Sequence, residues 1–252
     1  MVRAVWLSAN LFGYELLGEA IKIPDFEICA IFTLSDLSAT RMYDSIDPMK
    51  WSEFGIPVHK IKDINDEQDL IRSYSPEIIL MCGWRQVLNK DFLKLAGKGI
   101  IGFHPTLLPK GRGPAPIINT ILEGLNRSGV TMYYISEGLD DGDIIGQESF
   151  PVGPDDSAAD IYKKVTLSGQ QLIRTYIPLL INGKAPRIPQ NCQDATYFPK
   201  RTLADNQINP ERDSIDFIYR KIRAFSKPYR GAFILKNSKK LIIWNAEVIE
   251  EQ

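Results

Sequence analysis

His104 is the residue in this sequence best placed to do chemistry. It follows the apolar run Gly99–Phe103 (GIIGF) and opens a Pro/Gly-rich loop, HPTLLPKGRGPAP, over 104–116. An imidazole titrates near neutral pH, so one held where a strand runs into a proline-rich loop suits general acid–base work. The same placement suits a histidine that only bonds loop backbone, and position alone leaves both readings open. A second cluster, EGLDDGD at 137–143, puts four carboxylates in seven residues. Calcium loops are built this way, but the D-x-D-x-D-G spacing and a distal glutamate in register are missing. A solvated hairpin turn is the plain alternative. Lys110-Gly111-Arg112-Gly113 offers an anion two cationic side chains and turn amides, yet the P-loop pattern GxxxxGK[ST] is absent, so triphosphate chemistry is not indicated. His59, in IPVHK, reads as an ordinary strand residue.

These residues sit in a chain of 252 residues with 30 Lys+Arg against 31 Asp+Glu. The balance argues against a dedicated nucleic-acid binder, which carries a basic excess. Charged residues at 24% and hydrophobic residues at 44% describe a globular protein with a sizeable core. Cys29, Cys82 and Cys192 are far apart and form no CxxC, and only two histidines exist. A disulfide scaffold and a structural zinc site are therefore excluded, no metal is expected, and reduced thiols fit the cytoplasm. No run of 18 apolar residues is present, so no membrane span is expected. The N-terminal AVWLS reads as a first strand rather than as part of a signal peptide.

The elements that must position the chemistry alternate strand and helix over the first hundred residues. Strands are expected at 4–8, 26–32, near Val58, at 77–81 and at 99–103. Helices are expected over 13–21, from an Asn65 N-cap to about Tyr74, and from Asn89 to about Leu95. Short apolar strands between amphipathic helices imply an α/β fold with a mostly parallel sheet. After the 104–116 loop come a helix ending before Gly124, strands at 130–135 and 144–152, and a long helix capped by Ser157 and Asp160. That helix runs to about Ile181, with Pro178 expected to bend or break its last turn. From about 190 the composition turns basic, with eleven Lys/Arg against four Asp/Glu between Lys200 and Lys240. One helix near 214–225 and two strands at 232–236 and 240–249, with Asn237–Ser238 in the turn, complete it. We read residues 1–190 as the catalytic domain and 191–252 as a small α+β subdomain packed on it.

Ligands of open α/β sheets bind beyond the carboxyl ends of the strands. Three loops leave such ends, at Ser8–Gly13, Cys82–Gln86 and His104–Gly113. The first, SANLFG, is not GxGxxG, so a dinucleotide-binding dehydrogenase loses its support. Asn10, Phe12 and Gly13 of this loop, with Lys110 and Arg112, are the candidates to meet a substrate.

The run FHPTLLPKGRG at 103–113 resembles the His-x-Ser-Leu-Leu-Pro loop of 10-formyltetrahydrofolate-dependent formyltransferases. GVTMYYISEGLDDGDII at 129–145 resembles their second signature, Gly-Val-Thr…Asp-x-Gly-Asp, and the 36-residue separation of His104 from Asp140 fits. The likeness extends to the first strand and to KPYRGAF at 227–233, so it covers nearly the whole chain. It implies a Rossmann-like core and direct formyl transfer from the folate N10 to an amine. His104 matches the family's catalytic histidine and Asp140 its aspartate, whose charge favours the protonated ring. The family's catalytic asparagine falls at Gly102, a departure that removes a donor worth on the order of 2.7–4 kcal/mol. By matching positions the folate pocket includes Gln86, Val87 and Leu88 and the loop Ser136, Glu137, Gly138, Leu139 and Asp140.

Among the family's acceptors, the length of chain after the core resembles the sugar N-formyltransferases, which act on nucleotide-linked amino sugars in surface-polysaccharide synthesis. Methionyl-tRNA formyltransferases carry a longer C-terminal barrel, and glycinamide ribonucleotide formyltransferase generally lacks such a tail. The basic tail keeps a tRNA acceptor as the alternative. A lapsed enzyme that only binds folate or a nucleotide sugar is the alternative of another class. A homodimer is expected from the family.

Overall fold

Runs rich in Val, Ile, Leu and Phe between polar turns become the strands of a seven-stranded sheet. The computed structural model describes residues 1–40 and 44–250. In chain order the main elements are β1 (Val2–Leu7), α1 (Leu11–Ala20), β2 (Phe26–Leu34), β3 (Val58–Ile61), α2 (Gln68–Ser73), β4 (Ile78–Cys82) and β5 (Ile100–His104). There follow α3 (Pro116–Leu122), β6 (Arg127–Tyr134), β7 (Ile144–Pro151), α4 (Ala158–Ile181), α5 (Ile215–Ala224), β8 (Ala232–Lys236) and β9 (Lys239–Ile243). The sheet order is β3-β2-β1-β4-β5-β6-β7, with β1 to β5 parallel and β6 antiparallel to both its neighbours. It is a Rossmann-like α/β core with an antiparallel edge, and β8 and β9 form a separate hairpin.

Side chains alternate faces along a strand, and both faces of the parallel part are buried, which explains its near-continuous apolar runs. Trp6, Ile101, Phe103 and Met132 lie in one buried cluster with Leu16 and Leu17 of α1 and Leu172 and Ile173 of α4. Val5, Leu7, Phe32 and Ile79 lie in the other, with Ile71 of α2. Ile208, Ile222, Phe225 and Ala232 of the tail belong to the first cluster.

Several local expectations change. Asp63, not Asn65, is the capping residue after β3: it accepts from the Asn65 N–H and starts a 3₁₀ turn, Ile64–Glu67, ahead of α2. Asn89 does accept from the Phe92 N–H, but only a 3₁₀ turn, Phe92–Lys94, follows. Too few residues precede Gly97 to offset helix nucleation. Pro178 does not break α4, because it sits so near the end that few backbone bonds remain to lose. The Ser157–Asp160 capping box is present. Strand β9 stops at Ile243 instead of reaching 249, since its partner β8 is five residues long and begins after Gly231 at φ 82°.

Candidate active site

The crevice between β1 and β4, where the strand order reverses, is the first place to look for a ligand. Here the loop after β1 is buried and hydrogen-bonded. Asn10 caps α1, accepting from the Gly13 N–H at 3.0 Å and from the Ser8 hydroxyl at 3.3 Å, and donates to Asp44 Oδ2 at 2.9 Å. A Cβ on Gly13 would lie 2.9 Å from the Cys82 carbonyl oxygen, so α1 starts in contact with the end of β4. Phe12 is 4% exposed and packs edge-on against Phe103. Asn10, Phe12 and Gly13 thus serve as cap and packing residues. Around them Asp44 also accepts from Arg85 at 3.0 Å and from the Tyr162 hydroxyl at 3.1 Å, and Tyr162 lies 3.2 Å from the Tyr229 hydroxyl. This cluster, absent from the sequence reading, ties the mouth of the sheet to α4 and the tail.

The residues expected to act as acid and base lie one strand further on. His104 ends β5 and is buried. Its Nε2 is 2.8 Å from the Gly111 carbonyl oxygen, which can only accept, so Nε2 carries a hydrogen and, in the neutral ring, Nδ1 holds the lone pair. Nδ1 faces Asp140 Oδ2 at 3.6 Å. That is beyond a hydrogen bond but well within strong charge interaction. The backbone bond that the plain reading of His104 foresaw is present at Nε2, and Nδ1 is turned to the acidic loop.

Asp140 is held from three sides. Its Oδ2 accepts from the Gly113 N–H at 2.8 Å, its Oδ1 from the Tyr133 hydroxyl at 2.6 Å, and its carbonyl from Gln190 Nε2 at 2.9 Å. Its φ of 51° is uncommon for a non-glycine residue. Burial, and then the facing charge of Asp140, push the Tyr133 phenol well above its ordinary value. The phenol therefore stays protonated and donates. The acidic loop is thus not a free hairpin turn.

Arg112 is 2% exposed, and its guanidinium is engaged within the protein. It donates from Nε and Nη2 to Gln190 Oε1 at 3.1 and 2.8 Å and from Nη1 to the Tyr197 hydroxyl at 3.1 Å. Gln190 in turn holds the carbonyls of Asp140 and Gly142. Thr196 accepts from the Gly111 N–H at 2.8 Å, and a bridge pairs Arg112 with Tyr197. The segment 188–198 therefore braces the His104 loop, a role with no sequence signal beyond its place after α4. Lys110 is exposed.

The two expected folate segments come together. Lys90, just after Gln86, Val87 and Leu88, pairs with Glu137 of the 136–140 loop at 2.6 Å. Val87 is 86% exposed and Leu139 56%, so each loop offers an apolar side chain to a ligand. Leu88 packs on the second buried cluster. The Gln86 side chain is committed to the Ile64 N–H and the Lys62 carbonyl. Ser136 is bonded to Asp141, and a Cβ on Gly138 would collide with the Asp141 carboxylate. At the root of the first loop the buried indole N–H of Trp84 has no partner.

Gly102 is on the same face as His104, two residues earlier on β5, and pairs with Tyr133 across the β5–β6 ladder. A Cβ there would lie 2.4 Å from Ile135 Cδ1 and 3.0 Å from Tyr133 Cε1. The space a side chain would take is occupied by its neighbours.

The family description "Formyl transferase" matches residues 57–177, and "Formyl transferase, C-terminal domain" matches residues 201–252. A sugar N-formyltransferase from Shewanella sp FDAARGOS_354 shares the fold with a TM-score of 0.77 at 17% identity, covering 99% of this chain and 100% of that one. An N-formyltransferase from Helicobacter canadensis, solved with folinic acid and dTDP-3-aminofucose, gives 0.74 at 22% identity, covering 96% and 87%. HypX from Aquifex aeolicus, solved with tetrahydrofolic acid, gives 0.70 at 20% identity, covering 96% of this chain but 37% of HypX. Among the described residues no group of three His, Cys, Asp or Glu is gathered as metal ligands, and no helix is long and apolar enough to cross a membrane. With both domain matches in chain order, this chain belongs to the formyl transferase family.

Proposed function

We propose that this chain moves a formyl group from N10-formyltetrahydrofolate to the amine of a nucleotide-linked amino sugar. His104 and Asp140 are its catalytic pair. The observation that carries the reading is the His104 geometry, with Nε2 fixed on the Gly111 carbonyl and Nδ1 set beside Asp140. An attacking amine must be neutral and must shed a proton as its bond to the formyl carbon forms. The bond from that carbon to N10 then breaks, and tetrahydrofolate leaves with N10 taking up a proton. With Nε2–H committed, Nδ1 is the basic nitrogen, and a proton taken up there faces the Asp140 carboxylate. Tyr133 and the Gly113 amide keep that carboxylate in place. The folate lies between the 86–90 and 136–140 segments, with Val87 and Leu139 against its ring and Lys90–Glu137 spanning the cleft. When bound, it supplies the electrophilic formyl carbon.

The nucleotide-sugar acceptor is supported by the match in length and fold to sugar N-formyltransferases and by the dTDP-aminosugar bound to the Helicobacter relative. Arg112 is spent on Gln190 and Tyr197, which leaves exposed Lys110 as the loop cation free to meet a diphosphate. The test is formyl transfer onto UDP-, dTDP- and GDP-linked amino sugars, with charged initiator tRNA in parallel. Turnover on one sugar class, lost by roughly 10²- to 10⁴-fold in kcat in His104→Asn, is expected. Turnover on tRNA alone reverses the choice of acceptor, and full activity of His104→Asn removes the histidine from the reaction.

A further inference from the structure

Tyr133 and Gly102 face one another across the β5–β6 ladder, on the face that carries His104. Residues opposite each other on a ladder share one space, so what one leaves the other can fill. The tyrosine ring and Ile135 fill what Gly102 leaves. The φ of Gly102 lies outside the left-handed region, so the glycine is required by crowding and not by its backbone angle. The ring is 4% exposed, and its hydroxyl ends 2.6 Å from Asp140 Oδ1. The other oxygen, Oδ2, takes the Gly113 N–H and faces His104. With one donor on each oxygen the carboxylate cannot turn. With Gly113 alone it can pivot about that single bond.

We propose that Tyr133 is the positioning residue of this centre: its ring occupies the space over Gly102, and its hydroxyl fixes Asp140 so that Oδ2 faces His104. The inference rests on the reading of His104 and Asp140 as the acid–base pair. It assigns a function to the missing side chain at 102, since any larger residue there would push the ring away from Asp140. The titratable groups involved are His104 at the end of β5, Asp140 and Asp141 on the loop, and the phenol itself, which both carboxylates face.

The test compares Tyr133→Phe with the parent and with His104→Asn, recording kcat, KM for 10-formyltetrahydrofolate and Tm. Phenylalanine keeps the ring and removes only the donor. A hydrogen bond to a charged group is worth enough to change kcat by roughly 10- to 100-fold. We expect a loss of that size with KM for the folate unchanged. A purely structural tyrosine would lower Tm and leave kcat in place, which would overturn the proposal. Gly102→Ala crowds the ring while keeping the hydroxyl, and it should lower kcat with KM for the folate unchanged. If it leaves kcat unchanged, the proposal also fails. If His104→Asn is itself fully active, the acid–base reading fails, and that result is distinct from an inert Tyr133→Phe beside a dead His104→Asn.

Discussion

Replacing Gly102 with asparagine would restore an amide where formyltransferases usually carry one, and the structure predicts that it does harm. The new Cβ would stand 2.4 Å from Ile135 Cδ1 and 3.0 Å from Tyr133 Cε1 before the amide is added. The Ile135 methyl is the far end of a flexible side chain and can swing aside. The Tyr133 ring cannot move without releasing its 2.6 Å bond to Asp140. Overpacking of this kind costs about 1–3 kcal/mol, which for a chain of this size is a fall in Tm of roughly 2–12 °C. Loss of the Tyr133–Asp140 bond adds a decrease in kcat of roughly 10- to 100-fold. Differential scanning calorimetry and steady-state kinetics on one preparation measure both. The competing outcome is a gain, since one added donor to a developing oxyanion is worth roughly 10²- to 10³-fold. A Gly102→Asn enzyme faster than the parent, with KM and Tm unchanged, would refute the packing argument.

Gln190→Ala strips Arg112 of the acceptor for its Nε and Nη2 and frees the Asp140 and Gly142 carbonyls. Leaving that buried guanidinium short of partners should cost about 1–3 kcal/mol in urea unfolding and lower kcat as well; an unmoved midpoint would show the brace is not structural. The Ser157 side chain, then its backbone N–H, hold the Asp160 carboxyl below its ordinary 3.8. A depressed carboxyl contributes its stability fully above the unfolded value and loses it as pH falls through the folded one, so part of the acid destabilisation below about pH 4 comes from this cap. Ser157→Ala should cost about 1 kcal/mol at neutral pH and make the acid limb of the stability curve shallower; an unchanged limb would remove Asp160 from it.

The sheet was legible because its strands are local signals: each is an apolar run bounded by Gly, Pro or Asn, and tertiary packing moved their ends by only a few residues. The α4 capping box was legible for the same reason, since Ser157 and Asp160 meet within one turn. The helix expected after Asn89 was not, because one correctly placed capping bond cannot lengthen an element that Gly97 cuts short. At the site, His104 stood out by residue type and position, and Asp140 through the resemblance of its segment to a family signature. Tyr133, Gln190 and Thr196 were not. Tyrosine in an apolar strand reads as core, and Gln190 and Thr196 lie in an irregular segment whose partners are 48 to 85 residues away.

The substrate candidates at Asn10, Phe12 and Gly13 show where the general rule for α/β sheets needs one more step. The rule points to the crevice where strand order reverses, and that crevice lies between β1 and β4. A crevice holds a ligand only if the loops leaving it stay apart. Here Gly13 brings α1 against the Cys82 carbonyl, and Gly83, at φ 65°, lets the next loop pass over Asn10, whose side-chain amide would lie 2.3 Å from a Cβ at 83. Glycine at both positions lets these segments approach closely. The next strand end outward is that of β5, where the sheet turns antiparallel and the covering layer is made of the 105–113, 136–143 and 188–198 segments. Loop segments can present backbone carbonyls and amides to a side chain in a way a packed helix cannot, because a helix interior spends both on itself. The Gly111 carbonyl on His104 and the Gly113 amide on Asp140 are such groups. The proposed acid–base pair therefore sits where the fold leaves unspent backbone polar groups beside a strand end.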